Sequence, residues 1–370
     1  MTFLIFAFIL GLLIVVHEAG HFLTARRKGV RVEEFAFGFG PRLWGWRQGA
    51  TEYRVCAIPL GGYVKMAGDE RSACKGAADE YFSKSPGHRA LIVLMGPAVN
   101  YLLAYVCFVV VFWIGAVDLD ASSRAVPAKV GKVMAGSAAV EAGFITDDVI
   151  VSIDGRRISN WAQMQELIMA SGGRALDILV SRSGKDVTLK VSPRMEKTRD
   201  LFGREHEAAR IGIQPRMPDR ADHLVVRRYG FVEAFARAGG ELRDVTLKTY
   251  AALWQIVTGQ RSAKEGMTGL IGMFFIVKFA AGIGFSYLLY IVGVISASLA
   301  LFNVLPLIPL DGGHLALLGL EKLRGRTLSV RTEDLVTKAG FVLIVILALF
   351  VFYVDFERIG LIDRLRAFIK

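Results

Sequence analysis

The stretch "VVHEAGHFLTARRKG" (15–29) places His17, Glu18 and His21 in a run that is otherwise uncharged from residue 2 to Ala25. In an α-helix positions i and i+4 share a face, so His17 and His21 can turn two imidazoles towards one metal ion. Glu18 sits one step round the helix, where it can reach a metal-polarised water without being a ligand. Two ligands and a general base at this spacing suit a zinc hydrolase. The ion brings the pKa of water towards neutrality, and the carboxylate takes its proton and later hands it to the leaving amine. The plainer alternative, a pair of core histidines satisfied by neighbouring helices, must explain three costly polar groups within one membrane span.

A zinc site needs at least a third protein ligand. "SLALFNVLPLIPLDGGHL" (298–315) offers Asp311, at the end of another apolar run. Pro306, Pro309, Gly312 and Gly313 are expected to break the helix around it and turn the carboxylate into a cavity. His314 is the competing ligand, and an ordinary helix-stop turn at the headgroups is the reading without chemistry. An aspartate followed by two glycines is better placed for close approach. His17 precedes the first basic residue, Arg26, by nine positions, which at 1.5 Å per residue sets it about 13 Å inside the bilayer boundary.

The elements that must position these residues follow from composition. The chain has 370 residues, 53% of them hydrophobic and 21% charged, and the charges are unevenly spread, as in a mosaic of membrane and aqueous parts. Spans are expected at 1–25, 90–117, 285–313 and 339–355, with a weaker apolar run at 267–284. The first has no basic residue ahead of it and no convincing cleavage site, so it reads as a retained span rather than a signal peptide. The basic stretches ARRKGVR, HR and EKLRGRTLSVR fall on one side in this arrangement. That side is cytoplasmic by the positive-inside rule, which leaves both termini and residues 118–284 outside. A net charge of +11 suits anionic lipid headgroups. No basic aromatic motif accompanies it, which argues against nucleic acid as a partner. Cys56, Cys74 and Cys107 show no CxxC spacing and suggest neither a disulfide framework nor a thiolate metal site.

Residues 30–67 alternate as strands, with Trp44, Trp46 and Tyr53 suited to a membrane interface. Their edge could receive an unwound substrate segment by strand addition, or the hairpin could merely pack against the helices. The first role answers a physical need, because a helical peptide bond is shielded by its own hydrogen-bond ladder. Residues 122–217 read as an α+β domain with tight turns at Asp154-Gly155 and a Ser-Gly pair at 183–184, its sheet closed by ARIGIQP (209–215). Residues 223–284 read as amphipathic helices on the outer membrane surface.

HEAGH (17–21), EEFAFGFGPRLW (33–44), YRVCAIPLGGYVKMAG (53–68), GPAVN (96–100) and NVLPLIPLDGG (303–313), in this order and over nearly the whole chain, resemble the site-2 protease family of intramembrane zinc metalloproteases, in its bacterial RseP-type branch. The resemblance implies a polytopic α-helical membrane protein of about four transmembrane helices, with a membrane-associated β-hairpin or sheet and one periplasmic PDZ-like α+β domain. It implies Zn2+ held by His17, His21 and Asp311, Glu18 as the catalytic base, and Asn100 and Asn303 near the substrate. It also implies a place in the bacterial inner membrane, among its lipids. The substrates would be pre-trimmed single-span proteins of the anti-sigma factor type and remnant signal peptides. Three departures stand out. The outward segment has room for one PDZ-like domain rather than two, Pro309 lies two residues before Asp311, and Leu270 stands where the pattern usually has proline. Two rivals remain: a catalytically silent membrane scaffold holding partners on its PDZ-like domain, and a metal transporter, which would need a second polar site along a path.

Overall fold

The computed structural model describes residues 2–71, 74–199, 205–215, 224–260, 262–266, 268–325 and 329–358. Residues 200–204 and 216–217 of the expected PDZ-like segment, and 223, 261 and 267 of the expected amphipathic stretch, lie outside the described residues. The chain divides into two units, Met1–Ile114 with Tyr229–Asp355, and a second built on Gly115–Arg228.

The principal helices of the first unit are α1 (Thr2–Arg27), α2 (Pro86–Ile114), α3 (Phe231–Val257), α4 (Leu270–Ile283), α5 (Phe285–Asn303), α6 (Asp311–Arg324) and α7 (Val330–Arg358). Of these, α1, α2, α5 and α7 are long and apolar enough to cross a membrane, as expected of a multi-pass membrane protein. In lipid, helices gain little from hiding apolar surface against one another, so close packing of small side chains holds them together. Ala104 of α2, Ala238 of α3 and Ala297 of α5 are accordingly buried together around Phe108. Phe6, Ile9 and Leu13 of α1 meet Val277 and Ala280 of α4 and Ile291 of α5 in a second cluster.

Several boundaries differ from expectation. The segment 285–313 is not one span: α5 ends at Asn303, and Asp311 opens a separate helix. Pro306 and Pro309 fall in the break, whereas Gly312 and Gly313 lie inside α6. There a Cβ at Gly312 would overlap the carbonyls of Val304 and Leu305. The two glycines admit the returning chain rather than stop a helix. The described part of 223–284 holds two long helices of different character. α3 is amphipathic and packs on α2 and α5 through Ala238 and Leu242, while Phe231, Val232, Trp254 and Val257 stay exposed. Glu241 of α3 accepts a 2.7 Å hydrogen bond from Tyr290 of α5, while α4 is apolar except for Lys278 and packs on α1 and α5. Leu270 is the first residue of α4, the position at which proline is readily accepted. Asp355 of α7 caps that helix end, accepting from the amides of Gly269, Ile271 and Gly272 at 3.0–3.4 Å.

Residues 32–66 form a hairpin folded twice. β1 (Val32–Gln48) pairs along its second half with the start of β2 (Thr51–Met66). Its first half, Glu34–Phe37, lies between Glu52–Val55 on one side and Gly62–Lys65 on the other. The bend that permits this includes Gly38 at φ 86°. One edge therefore carries Trp44 and Trp46, both exposed, and the other is formed by 62–66, next to α1.

In the second unit the strands Val149–Ile153, Arg156–Arg157, Leu176–Arg182 and Lys185–Val191 form one antiparallel sheet, and the helix Trp161–Ala170 buries Trp161, Met164 and Ile168 in the same core as Ile178 and Val180. Asp154-Gly155 and Ser183-Gly184 both take positive φ, the backbone that two-residue hairpin turns require. Residues 209–215 do not close this sheet. Glu205–Arg210 pairs with Arg194–Arg199, and Ile213–Pro215 with Val130–Val133, in separate ladders. Ala116–Asp118 pairs with Val225–Arg227, so the chain enters and leaves the unit side by side.

Asp148 is fully buried here and accepts two hydrogen bonds from Arg182, at 2.8 and 2.9 Å. Burial pushes its carboxyl up, but Arg182 and the Ile145 amide outweigh that and hold it below the ordinary aspartate value. A carboxyl lowered on folding stabilises the native state above its unfolded pKa and stops doing so as pH falls through the folded one. Asp148→Asn should therefore lower the thermal midpoint of this unit at pH 7, and the gap from the unaltered protein should close below about pH 4. Melting curves of both proteins across that range check this.

Candidate metal centre

α1 carries His17 and His21 one turn apart, and their side chains are 10% and 11% exposed. Their Nε2 atoms lie 3.2 Å from each other. Asp311, in the first turn of α6 where the helix dipole favours an anion, brings Oδ2 to 3.1 Å from His17 Nε2 and 3.5 Å from His21 Nε2. Ligand atoms on a tetrahedral ion bonded at about 2.0 Å stand about 3.3 Å apart, so the three donors have the spacing of three corners. His21 Nδ1 is 2.9 Å from the Ile92 carbonyl, to which it donates. That bond fixes the tautomer and turns the Nε2 lone pair inward. Asp311 Oδ2 is buried without a hydrogen bond, a costly arrangement for a carboxylate unless a cation satisfies it. The donor set fits zinc: two imidazoles and one carboxylate, with a fourth position left to water or substrate.

α2 shapes this centre. Gly20 of α1 rests against the Met95 carbonyl so closely that a Cβ would overlap it, and a Cβ at Gly96 would overlap His21 Nε2 and Cε1. One turn on, Asn100 is fully buried with both side-chain amide atoms unpartnered, while its carbonyl accepts from Ser296 Oγ at 2.8 Å. Glu18 is half-buried and directed to the sheet. A Cβ at Gly62 would come within 3.4 Å of the Glu18 Cγ. Glu18, next in sequence to His17, thus stands against the 62–66 edge. His314 is outside the converging group and lines a cavity of about 30 Å³ with Arg71, Phe82 and Glu321. Asn303 closes α5 and is not brought to the donors by any hydrogen bond among the described residues.

The model of peptidase family M50 matches residues 5–347. The chain belongs to that family. This M50 peptidase, of the site-2 protease family, is 31% identical over 368 residues to "Putative zinc metalloprotease mll0638" of Mesorhizobium japonicum, covering 96% of this chain and 98% of that one. It is 33% identical over 365 residues to a Rhizobium meliloti protein with the same kind of name, with 95% of each chain covered. It is 29% identical to "Regulator of sigma-E protease RseP" of Salmonella typhimurium over 448 positions, covering 96% of this chain and 98% of the relative.

Sequence reasoning missed the carbonyl of Ile92, the bare surface of Gly96 and the depth of Arg89. The GPAVN motif offered a signal for the second, a glycine one turn ahead of an asparagine in an apolar helix. Basic residues read only as marking membrane sidedness lie within elements. Arg89 is in the first turn of α2 and 4% exposed, and the EKLR of 321–324 belongs to α6. Gly96→Ala should force the imidazoles aside and sharply lower bound metal in the purified protein, whereas Gly319→Ala, with open space around it, should leave metal content unchanged. Elemental analysis distinguishes the two.

Proposed function

We propose that this M50 peptidase is an intramembrane zinc endopeptidase that cuts peptide bonds within the transmembrane segments of single-span proteins. The observation that carries the proposal is the convergence of His17, His21 and Asp311, with both histidines and Glu18 on α1, a helix long and apolar enough to cross a membrane. His17, His21 and Asp311 would hold the ion. Zinc, when bound, supplies Lewis acidity that draws the pKa of water towards 7 and polarises a carbonyl. Glu18 takes the proton from the attacking water and passes it to the leaving amide nitrogen, so the carboxylate ends the cycle as it began. Asn100, buried with a free amide, is suited to hydrogen-bond the scissile peptide, and Asn303 is assigned beside it on the family resemblance. An α-helical substrate has no exposed peptide group to offer, and the 62–66 edge next to Glu18 can hold it extended by strand pairing.

The second unit, with its helix packed across an antiparallel sheet, serves as a PDZ-like module that admits substrates already trimmed outside the membrane. The alignment with the Salmonella relative is longer than this chain, which agrees with a single such module here. The basic residues 26–28 after α1 set that side in the cytoplasm. The module and both termini then lie in the periplasm, and the protein in the bacterial inner membrane. Anti-sigma factors and remnant signal peptides are the substrate class, taken from the resemblance and from the name of the sigma-E relative. A silent scaffold would have no use for three donors and a carboxylate in an apolar bundle.

Purified protein should cut short transmembrane peptides inside their apolar segment, with products mapped by mass spectrometry. Glu18→Gln should keep zinc and lose cleavage by at least about 10²-fold, and near-normal turnover would refute the assigned base. His17→Ala and Asp311→Ala should lower zinc content, and unchanged stoichiometry would refute those ligands. Deleting 122–217 should widen the range of substrates cut more than it slows cleavage of a short peptide. Complete inactivity of a folded deletion would count against the filter.

A further inference from the structure

Arg89 carries a full charge at 4% exposure. Its Nε donates to the Lys84 carbonyl at 3.2 Å, one terminal nitrogen donates to Glu321 Oε1 at 2.7 Å, and its guanidinium stands 5.4 Å from the Phe82 ring centre. Arg71 approaches the other Glu321 oxygen at 3.4 Å and lies 4.7 Å from the same ring. Glu321 is on α6, ten residues after Asp311. Positions 311, 314, 318 and 321 recur at helical spacing on one face, so the ion pair and the Asp311 carboxylate are about 15 Å apart on a single rod. On α2 the sequence of contacts is parallel. Arg89 grips α6, the Ile92 carbonyl grips His21, and Gly96 cradles both imidazoles.

The geometry points to Glu321, through Arg89, as a positioning residue that sets the register of α6 and so places Asp311 on the metal; this rests on the metal reading above. A slip of one residue along α6 would move the carboxylate about 1.5 Å and turn it by about 100°. Apolar contacts such as those of Leu318 tolerate small slips. A buried charge pair does not, because either charge left alone is strongly unfavourable. The pair need add no net stability to fulfil this role. It makes one axial position of α6 far better than its neighbours.

The test is a double-mutant cycle on zinc affinity, measured in full-length detergent-solubilised protein by competition with a chromophoric chelator. The proteins compared are wild type, Glu321→Gln, Asp311→Asn and the double variant. Glu321→Gln should weaken zinc binding about tenfold, the scale for residues that orient a metal ligand. The double variant should be no weaker than Asp311→Asn alone, because Glu321 acts only through Asp311. If Glu321→Gln cannot be recovered folded, Glu321→Asp keeps the charge and withdraws it by one methylene, and should show the same non-additivity. Equal losses with and without Asp311, or unchanged affinity in the Glu321 variants, would overturn the inference and leave the metal reading intact. Failure of the wild type to bind zinc would overturn both.

Discussion

Three lone-pair donors held 3.1–3.5 Å apart in an apolar bundle are mutually repulsive until a cation stands among them, and much of the first unit can be understood as what keeps them there. α1 alone can align two imidazoles by its own pitch. It cannot fix the tautomer of His21, nor bring in a carboxylate from nearly three hundred residues away. α2 does the first through the Ile92 carbonyl, and α6 does the second by starting at Asp311. Gly20 and Gly96 let α1 and α2 come this close, and Gly312 lets α6 fold back against residues 304–305.

A second constraint comes from the bond to be cut. A helix in lipid satisfies its own amides, which is why it is stable there and why its peptide groups are unreachable. In the proposed function the twice-folded hairpin would supply the complementary state, an edge at 62–66 against the helix that bears Glu18. Strand pairing exchanges one set of backbone hydrogen bonds for another, so unwinding a segment there need not leave polar groups unmet.

The legible parts of the sequence were those written in local spacing. His17, Glu18 and His21 specify a helical face by themselves, and the uncharged runs give four long helices because lipid demands length and apolarity together. Asp311 could be picked out as an ionisable residue next to an apolar run. Its helix could not, since PLDGG reads as a stop and the glycines in fact serve contacts with Val304 and Leu305. The packing of α3 and α4 was also hidden. An amphipathic pattern says that one side is apolar, without saying whether lipid or protein covers it, and here Ala238 and Leu242 meet protein. Arg89 was illegible for a related reason: a basic residue beside a span looks like a sidedness signal until its partner, 232 residues away, is known.

The paired strands Ala116–Asp118 and Val225–Arg227 have a consequence for the history of such proteins. They clamp together the two ends of everything between them, so that the intervening domain hangs from the chain as a closed loop. Such a loop can be enlarged, duplicated or exchanged while the path from α2 to α3 stays the same length. Selection can therefore reshape that domain without disturbing the helices that carry His17, His21 and Asp311.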